Sequence, residues 1–175
     1  RLLVIGQVES DASVRHGACE IRTNRALLAE VRRRHPNAFL LYRPHPDVVA
    51  GVRQGEQVPA EAYDVLAAEG NITALIDRVD EVHTLTSLAG FEALLRNRPV
   101  ITYGLPFYAG WGLTQDRAQL SRRRRKLELN ELVAATLLRY PLYWDWTLSG
   151  YTSCEAAINQ LIGRREALRS SYGGE

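Results

Sequence analysis

The segment that decides the fold covers residues 82–95 and reads Val82-His83-Thr84-Leu85-Thr86-Ser87-Leu88-Ala89-Gly90-Phe91-Glu92-Ala93-Leu94-Leu95. Its first four residues predict a short strand, and residues 87–96 predict a helix that follows without a spacer. Thr86 and Ser87 lie at the junction, where the first N–H groups of a helix have no partner within the helix. A strand that passes into a helix through small polar residues is typical of an anion-binding edge of an α/β sheet.

Three other apolar runs predict further strands of the same sheet, at residues 2–5, 39–42 and 99–103. These runs lack polar alternation, which favours strands covered on both faces. A polar loop is predicted at residues 7–22, and helices at residues 24–35, 48–53, 60–68, 71–78, 127–140 and 153–169. The alternation predicts an α/β fold, a Rossmann-like parallel sheet with helices on both faces. We expect one domain over residues 1–175, with residues 127–175 as its C-terminal helices.

The composition is that of a globular chain about one domain long. Of the 175 residues, 46% are hydrophobic and 24% are charged. No apolar stretch approaches the roughly 20 residues that a membrane-spanning helix needs. Cys19 and Cys154 are too few for a disulfide framework, so we expect a reducing, cytoplasmic environment. Because the chain contains no methionine and begins inside a predicted strand, we expect it to be a segment of a longer protein.

One basic run, Arg122-Arg123-Arg124-Arg125-Lys126, stands out from an otherwise balanced distribution of charge. Two interpretations remain open: a solvated loop before a helix, or a contact with anionic lipid or a polyanionic saccharide. The second would place the protein peripherally at the inner face of the membrane. The run has no interleaved aromatic residues and no nucleic-acid-binding motif accompanies it, so nucleic acid is not an expected partner.

Polar side chains follow the first two predicted strands at their carboxyl ends, where parallel sheets bind ligands. After the first strand come Gln7, Glu9 and Asp11, which either form a polar turn capped by Asp11 or handle protons and hydroxyls. After the second come Arg43 and then His45, which has a proline on each side. Because prolines restrict the backbone, His45 is either a fixed structural residue or one suited to phosphate recognition or proton donation.

The helix predicted at residues 87–96 carries a carboxylate on its apolar side. On a helical projection Leu88, Phe91 and Leu95 form the predicted buried stripe, and Glu92 lies within it. A buried carboxylate is costly unless it has a partner. Glu92 therefore either bonds the backbone of a neighbour or reaches a ligand hydroxyl, such as those of a ribose.

The last predicted strand leads into a loop, residues 103–114, that is rich in glycine and aromatic residues. Glycine allows another group to approach the backbone closely. The loop either packs on its own aromatic side chains or forms a wall for a base or a sugar ring, and its candidate contacts are Gly104, Pro106 and Tyr108.

These segments resemble the capsular polysaccharide β-Kdo transferases of the KpsC/LipA type. The matching segments are Gly6-Gln7-Val8-Glu9 with Asp11-Ala12-Ser13, Arg43-Pro44-His45-Pro46-Asp47, residues 82–95 and residues 100–114, followed by the arginine run. They occur in order and extend to about Tyr143, and the last two are long and specific. One departure is Arg43, where the family is expected to carry lysine; both are cations, but their contacts with phosphate differ in geometry.

The resemblance implies the C-terminal, donor-binding lobe of a GT-B glycosyltransferase, which pairs with an N-terminal acceptor lobe of the same module. It implies CMP-β-Kdo as donor, a Kdo acceptor linked to phosphatidylglycerol, and retention of anomeric configuration. We expect the lobe alone to be inactive in transfer. No metal or other cofactor is expected, because CMP carries a single phosphate and the sequence has no Asp-x-Asp motif.

The resemblance also implies roles for individual residues. Asp11 would be the nucleophile, and His45 would steady or protonate the departing phosphate beside Ser87. Glu92 would hold the ribose. Gln7 and Glu9 would orient the Kdo, which adds Glu9 to the catalytic set, and the other donor-binding residues would be Arg43, Thr86, Gly90, Gly104, Pro106 and Tyr108. The prediction requires Asp11, His45 and the turn at Ser87 to share one rim.

Two other functions remain open from the residues alone. The first is a GT-B transferase or an epimerase that uses a UDP-sugar. The second is a non-catalytic module that docks on capsule-export machinery or on a membrane through the arginine run.

Overall fold

A computed structural model describes residues 1–53 and 58–172, with side chains as far as residue 170. The chain divides into two compact units, a first unit from Arg1 to Leu127 and a second that begins at Glu128.

A six-stranded sheet forms the centre of the first unit, and all its strand pairs are parallel. The strands are β1 (Leu2–Ile5), β2 (Leu40–Arg43), β3 (Val65–Leu66), β4 (Glu81–Thr84), β5 (Val100–Thr102) and β6 (Gln115–Asp116). Their order in the sheet is β3-β2-β1-β4-β5-β6, so the direction of winding reverses between β1 and β4. This order confirms the predicted Rossmann-like fold and places the ligand-binding crevice at the carboxyl ends of β1 and β4.

Within residues 1–53 and 58–127, five α-helices connect these strands. They are α1 (Ala12–Gly17), α2 (Asn24–Arg34), α3 (Pro46–Val49), α4 (Ile72–Ile76) and α5 (Leu88–Leu94). The prediction for α2 is confirmed: the Thr23 hydroxyl accepts the N–H of Ala26 at 3.1 Å, and Leu27, Leu28 and Val31 are fully buried against the sheet. Each such side chain contributes about 1.5–3 kcal/mol through burial.

One predicted helix and one predicted loop are wrong. Residues 60–68 form no α-helix: a 3₁₀ turn, Ala60–Ala62, leads into β3, where Asp64 and Ala67 donate backbone N–H groups to β2. Pairing with a neighbouring strand overrides the local helix preference here. The predicted polar loop at residues 7–22 contains α1, because Asp11 accepts the N–H of Ser13 and so caps a helix.

The predicted buried stripe of α5 is wrong at two of its three positions. Leu88 is 60% exposed and Leu95 is 46% exposed, whereas Phe91 and Leu94 are buried together with Gly90 and Ala93. Leu88 is the first residue of the helix and lies at the edge of the sheet, and Leu95 comes after its last turn. Glu92 is consequently half-buried beside the strand ends rather than inside the core.

A buried amide joins α2 to the end of β1. The Asn24 side chain accepts the N–H of Gln7 at 2.9 Å and donates to its carbonyl at 2.8 Å. The backbone N–H of Asn24 donates to the Glu9 carboxylate at 2.7 Å. Asn24 is 4% exposed and Gln7 is 7% exposed, so water does not reach these polar groups. The hydrogen bonds between the two residues take the place of hydrogen bonds to water.

The second unit combines helices with a hairpin that the sequence did not predict. Helix α6 (Leu129–Val133) continues as a π-helical segment, Ala134–Arg139, and the last helix is α7 (Cys154–Tyr172). Between them, β7 (Tyr143–Asp145) and β8 (Gly150–Thr152) pair antiparallel. The buried Asp145 carboxylate accepts the N–H groups of Thr147 and Leu148 and so holds the hairpin turn.

Substituting Asn24→Ala should lower the free energy of unfolding by about 2–4 kcal/mol, because it leaves the buried N–H and carbonyl of Gln7 without partners. Urea denaturation followed by circular dichroism measures the change. The matched control is Asn37→Ala at an exposed position, for which a change within about 0.5 kcal/mol is expected. Equal effects of the two substitutions would contradict the structural role of Asn24.

Candidate active site at the strand ends

The carboxyl ends of β1, β2 and β4 open into one cleft of about 370 Å³. Its lining comprises Gln7, Val8, Asp11, Ser13, His45, Thr86, Ser87, Leu88 and Phe107. Asp11 follows β1, His45 follows β2 and Ser87 follows β4. The predicted convergence of these three residues is therefore confirmed.

A second compartment of about 450 Å³ adjoins this cleft. The two share His45, Ser87 and Leu88 in their walls, and Arg43 and Glu92 line only the second compartment. The candidate residues thus follow an order along the edge of the sheet: Asp11 on one side, His45 and Ser87 in the middle, Glu92 on the other side.

Asp11, His45 and Ser87 share one structural property: each is the N-cap of the helix that follows its strand. They cap α1, α3 and α5 respectively. In a parallel sheet the carboxyl ends of the strands face the amino ends of the following helices, so side chains that cap these helices lie at the ligand-binding edge.

The Asp11 carboxylate uses its two oxygens differently. Oδ1 accepts the N–H of Ser13 at 2.9 Å and its hydroxyl at 2.8 Å, while Oδ2 lies 3.7 Å from Nη1 of Arg53. The hydrogen bonds from Ser13, with a smaller contribution from Arg53, hold the pKa of Asp11 below its usual 3.8. The carboxyl group is therefore ionised near neutral pH, with one oxygen fixed and the other facing a cation.

The His45 ring has a defined tautomer when it is neutral. Its Nδ1 accepts the backbone N–H of Asp47 at 3.2 Å, so the ring hydrogen is on Nε2. The side chain is 37% exposed and lines both compartments. Nε2–H is therefore placed to donate a hydrogen bond to an anionic ligand.

Gln7 connects the ends of β1 and β4 through its side chain. Its Oε1 accepts the N–H of Thr86 at 2.8 Å, and its Nε2 donates to the Thr86 hydroxyl at 3.0 Å. The Thr84 hydroxyl donates to the same Oε1 at 3.4 Å and accepts the N–H of Ser87 at 3.2 Å. Gln7, which is 7% exposed, thus holds the turn that carries Ser87.

Glu9 and Arg43 both make hydrogen bonds within the protein. Glu9 accepts the N–H of Asn24, as described above. The Arg43 guanidinium donates to the carbonyls of Ala67, Glu69 and Gly70 at 2.6–2.9 Å and so fixes the segment after β3. Arg43 lines the second compartment with these donors already engaged.

Gly90 and Tyr108 support the Ser87 turn from beneath. The Tyr108 hydroxyl donates to the carbonyl of Ser87 at 2.5 Å, and its side chain is fully buried. A Cβ on Gly90 would lie 2.2 Å from the Tyr108 oxygen, so only glycine leaves room for the ring. Gly104 likewise allows a close approach, because a Cβ there would lie 2.7 Å from the carbonyl oxygen of Gly17. The structure gives all three residues packing contacts beneath the cleft.

One arginine of the basic run fixes the loop of residues 103–114. Arg123 donates to the carbonyls of Pro106 and Ala109 at 2.7 and 2.5 Å, and its guanidinium lies 5.2 Å from the ring centre of Trp111. Desolvation is the main cause that lowers the pKa of Arg123 below its usual range. Arg123 therefore acts within the protein, and the loop packs partly on it rather than only on its own aromatic rings.

Sequence reasoning missed five residues at the cleft. Phe107 is 41% exposed and packs edge-on against Phe91 with ring centres 5.1 Å apart. Arg53, beside Asp11, is also within 3.8 Å of Asp47. No local pattern marks Arg53, which reaches Asp11 from a loop. Phe107 lies in the aromatic loop of residues 103–114, within which the predicted contacts are Gly104, Pro106 and Tyr108. The other three are Val8, Ser13 and Leu88.

A larger cleft of about 540 Å³ lies elsewhere in the first unit. Its lining includes Glu30, Arg34, Tyr103 and Arg117. Glu30 and Arg34 are already paired at 2.5 Å, and the cleft does not include the ends of β1 and β4. The smaller cleft is the better candidate, because it lies where the strand order reverses.

A sequence model of a family described as "capsule polysaccharide biosynthesis protein" matches residues 1–143. The matched part contains every residue of the cleft. The chain belongs to this family.

Several curated proteins are similar to this member of the capsule polysaccharide biosynthesis family. The capsule polysaccharide modification proteins LipA of two Neisseria meningitidis strains, MC58 and Z2491, are 47% and 48% identical over 98% of the chain. The lipopolysaccharide-processing protein LpsZ of Rhizobium meliloti is 43% identical over 92% of it. The chain spans 25% of the length of the LipA proteins and 37% of LpsZ.

Two solved structures of Thermosulfurimonas dismutans KpsC are also similar to this family member. The structure named as a β-Kdo 2,7 transferase is 45% identical, with a TM-score of 0.84 over 94% of this chain and 53% of that one. The structure named as a β-Kdo 2,4 transferase is 35% identical, with a TM-score of 0.84 over 93% of this chain and 51% of that one. Within the described residues, no helix combines the length and the apolar composition that crossing a membrane requires.

Substituting Gly90→Ala should lower the free energy of unfolding by about 1–3 kcal/mol, because the added methyl group forces the Tyr108 ring out of place. Adding Tyr108→Phe removes the nearest clashing atom, so the double variant should lose less stability than the sum of the two single variants. Thermal and urea unfolding measure this coupling. Gly163→Ala in α7, where a methyl group meets no atom within 4 Å, is the control and should not destabilise.

Proposed function

We propose that this chain is the C-terminal, donor-binding lobe of a retaining GT-B glycosyltransferase that transfers Kdo from CMP-β-Kdo to a lipid-linked Kdo acceptor. The supporting observation is the order of groups along the strand ends: Asp11, then His45 and Ser87, then Glu92. The similarity to KpsC and LipA supplies the substrate class.

We place the donor across the two compartments, with its nucleoside in the second compartment and its sugar in the first. The cytidine lies in the second compartment, where the half-buried Glu92 accepts hydrogen bonds from the ribose hydroxyls. The phosphate lies at the shared wall, where His45 Nε2–H and the Ser87 hydroxyl donate to its oxygens. The Kdo then extends into the first compartment, between Asp11 and Phe107.

Transfer proceeds through two displacements. Oδ2 of Asp11 attacks the anomeric carbon as the bond to the phosphate oxygen breaks, and CMP leaves with the bonding electrons. His45 stabilises the negative charge that develops on the departing phosphate. The acceptor hydroxyl then attacks the same carbon, displaces Asp11 and gives up its proton to a base. Two inversions give net retention.

The hydrogen bonds on Oδ1 prepare Asp11 for this role. They lower the pKa of the carboxyl group and engage Oδ1, which leaves an ionised Oδ2 free of the helix cap at neutral pH. A carboxyl with a lowered pKa stays ionised as pH falls until pH drops below that pKa. Protonation of Asp11 therefore does not limit the reaction in the neutral range.

The linkage formed is proposed to be the 2,7 linkage. Identity is 45% with the structure named as the β-Kdo 2,7 transferase and 35% with the one named as the 2,4 transferase, at equal TM-scores. We place the acceptor, Kdo on phosphatidylglycerol, against the N-terminal lobe of the same module, and the protein in the cytoplasm at the inner face of the membrane. The transfer step is proposed to need no metal.

Substituting Asp11→Asn should reduce transfer from CMP-Kdo by about a thousandfold or more, because an amide cannot form the covalent intermediate. Asparagine caps helices as well as aspartate does, so α1 and the overall stability should be retained. The assay uses this segment within the full-length protein, with a Kdo-terminated lipid acceptor.

Asp77→Asn, at an exposed carboxylate paired with Arg96, is the matched control and should leave transfer unchanged. Near-normal transfer by Asp11→Asn, with the thermal stability retained, would remove Asp11 from the mechanism.

CMP should bind this chain with a Kd between about 10 μM and 1 mM, and UMP and UDP should bind at least tenfold more weakly. The variants His45→Asn and Ser87→Asp keep a capping side chain, but the first removes the Nε2–H donor and the second adds a repulsive charge. Each should weaken CMP binding at least tenfold in isothermal titration calorimetry. His16→Asn, at an exposed position of α1, is the control.

Tighter binding of UDP than of CMP would favour the alternative UDP-sugar enzyme. Absence of any nucleotide binding would favour the non-catalytic docking module, which the use of Arg123 inside the protein already argues against.

A further inference from the structure

Two histidines and one glutamate converge at the opposite end of the sheet from the cleft. Glu81 is the first residue of β4, and His83 lies two residues further along, so both side chains project from the same face of the strand. His35 is the C-cap of α2 and follows that helix down to the same edge. One ligand atom from each residue lies within 4.8 Å of the others.

The central residue of this cluster, His83, has an unpartnered nitrogen in a fully buried side chain. Its Nε2 lies 2.7 Å from Oε1 of Glu81, but the contact lacks the alignment of a hydrogen bond, and Nε2 has no hydrogen-bond partner among the described residues. A buried ring nitrogen without a partner is rare, because it has lost its water without replacement.

The other nitrogen of His83 has a partner of the kind that metal-binding histidines use. Nδ1 lies 3.1 Å from the hydroxyl oxygen of Tyr103. When the Tyr103 oxygen accepts Nδ1–H, the lone pair of the ring is on Nε2, which is the arrangement by which outer partners orient ligating imidazoles.

The residue types of the cluster also suit a cation. Two imidazoles and one carboxylate are a donor set that zinc accepts.

We propose that His35, Glu81 and His83 bind one divalent transition-metal ion of the zinc class, with water as the fourth ligand. The His35 side chain is 36% exposed and its Nε2 lies 4.0 Å from Oε1 of Glu81, so solvent reaches the site from the His35 side. Ligand atoms on a tetrahedral zinc ion lie about 3.4 Å apart. The Glu81 oxygen, at 2.7 Å from His83 Nε2 and 4.0 Å from His35 Nε2, therefore has to move away from the first and towards the second by less than about 1 Å. The partly exposed side chains of His35 and Glu81 can rotate to do so.

The ion would act on the fold rather than on the transfer step. It would join the end of α2 to the start of β4, which are far apart in the sequence, and close a long loop of the unfolded chain. The candidate active site lies at the other end of the strands, so the inference does not depend on the proposed function. The nearby Arg117 contributes to lowering the pKa of both Glu81 and His83, and it is a cation that an incoming metal has to tolerate.

The test is a titration of the full chain, freed of metal by chelation, with zinc chloride and with cobalt chloride. We expect one ion per chain, a Kd of about 10 μM or tighter, a visible absorption band of cobalt in a nitrogen and oxygen site, and a zinc-dependent rise in Tm of roughly 5 °C. The variants His35→Gln and Glu81→Gln should each weaken binding at least tenfold and remove the cobalt band.

His16→Gln, at an exposed histidine of α1, is the matched control and should bind the ion as the unchanged protein does. Circular dichroism of the metal-free variants shows whether they fold. The proposal is overturned if no ion binds at 1 mM, or if folded His35→Gln and Glu81→Gln bind as tightly as the unchanged chain. It is also overturned if His16→Gln weakens binding as much as they do.

Discussion

The candidate site depends on the hydrogen bonds of one buried amide side chain. Gln7 lies just past β1 and binds Thr86 just past β4, so it spans the two strands between which the winding of the sheet reverses. At that point the two strand ends have helices leaving on opposite faces, and a crevice opens. Asn24 holds the backbone of Gln7 from below. Because the side-chain amides of Gln7 and Asn24 are both hydrogen-bonded, the backbone around the crevice is held in place. A preorganised binding site requires such a fixed geometry.

Structure and proposed chemistry use the same side chains at this edge. Asp11, His45 and Ser87 each accept an N–H group in the first turn of a helix and also line the cleft. A capping bond restricts the rotamer, so these side chains are positioned without further support. Replacement of any of these residues by alanine therefore removes a helix cap and a proposed functional group at the same time. Replacements that cap equally well separate the two effects.

The sequence predicted those parts of the fold that a short local pattern marks, such as a continuous apolar run or a helix-capping residue. The four apolar strands and the cap of α2 follow from continuous burial and from Thr23. The edge strands β3 and β6 have two residues each and bury little, so no apolar pattern marks them. Among the polar residues that follow strands, Gln7, Asp11 and His45 line the cleft as predicted, whereas Glu9 is bonded to Asn24 and is not part of its lining. Arg53 and the cluster around His83 could not be predicted, because they depend on which distant segments meet.

Trp111, which packs against Arg123, is a fluorescent residue within the aromatic loop. Trp111 is the only tryptophan between residues 1 and 127, and its indole N–H donates to the carbonyl of Phe107, which itself lines the cleft. A ligand that displaces Phe107 would therefore disturb the surroundings of this indole. In a background where Trp144 and Trp146 are replaced by phenylalanine, fluorescence emission from this single chromophore would follow loop rearrangement on the stopped-flow timescale.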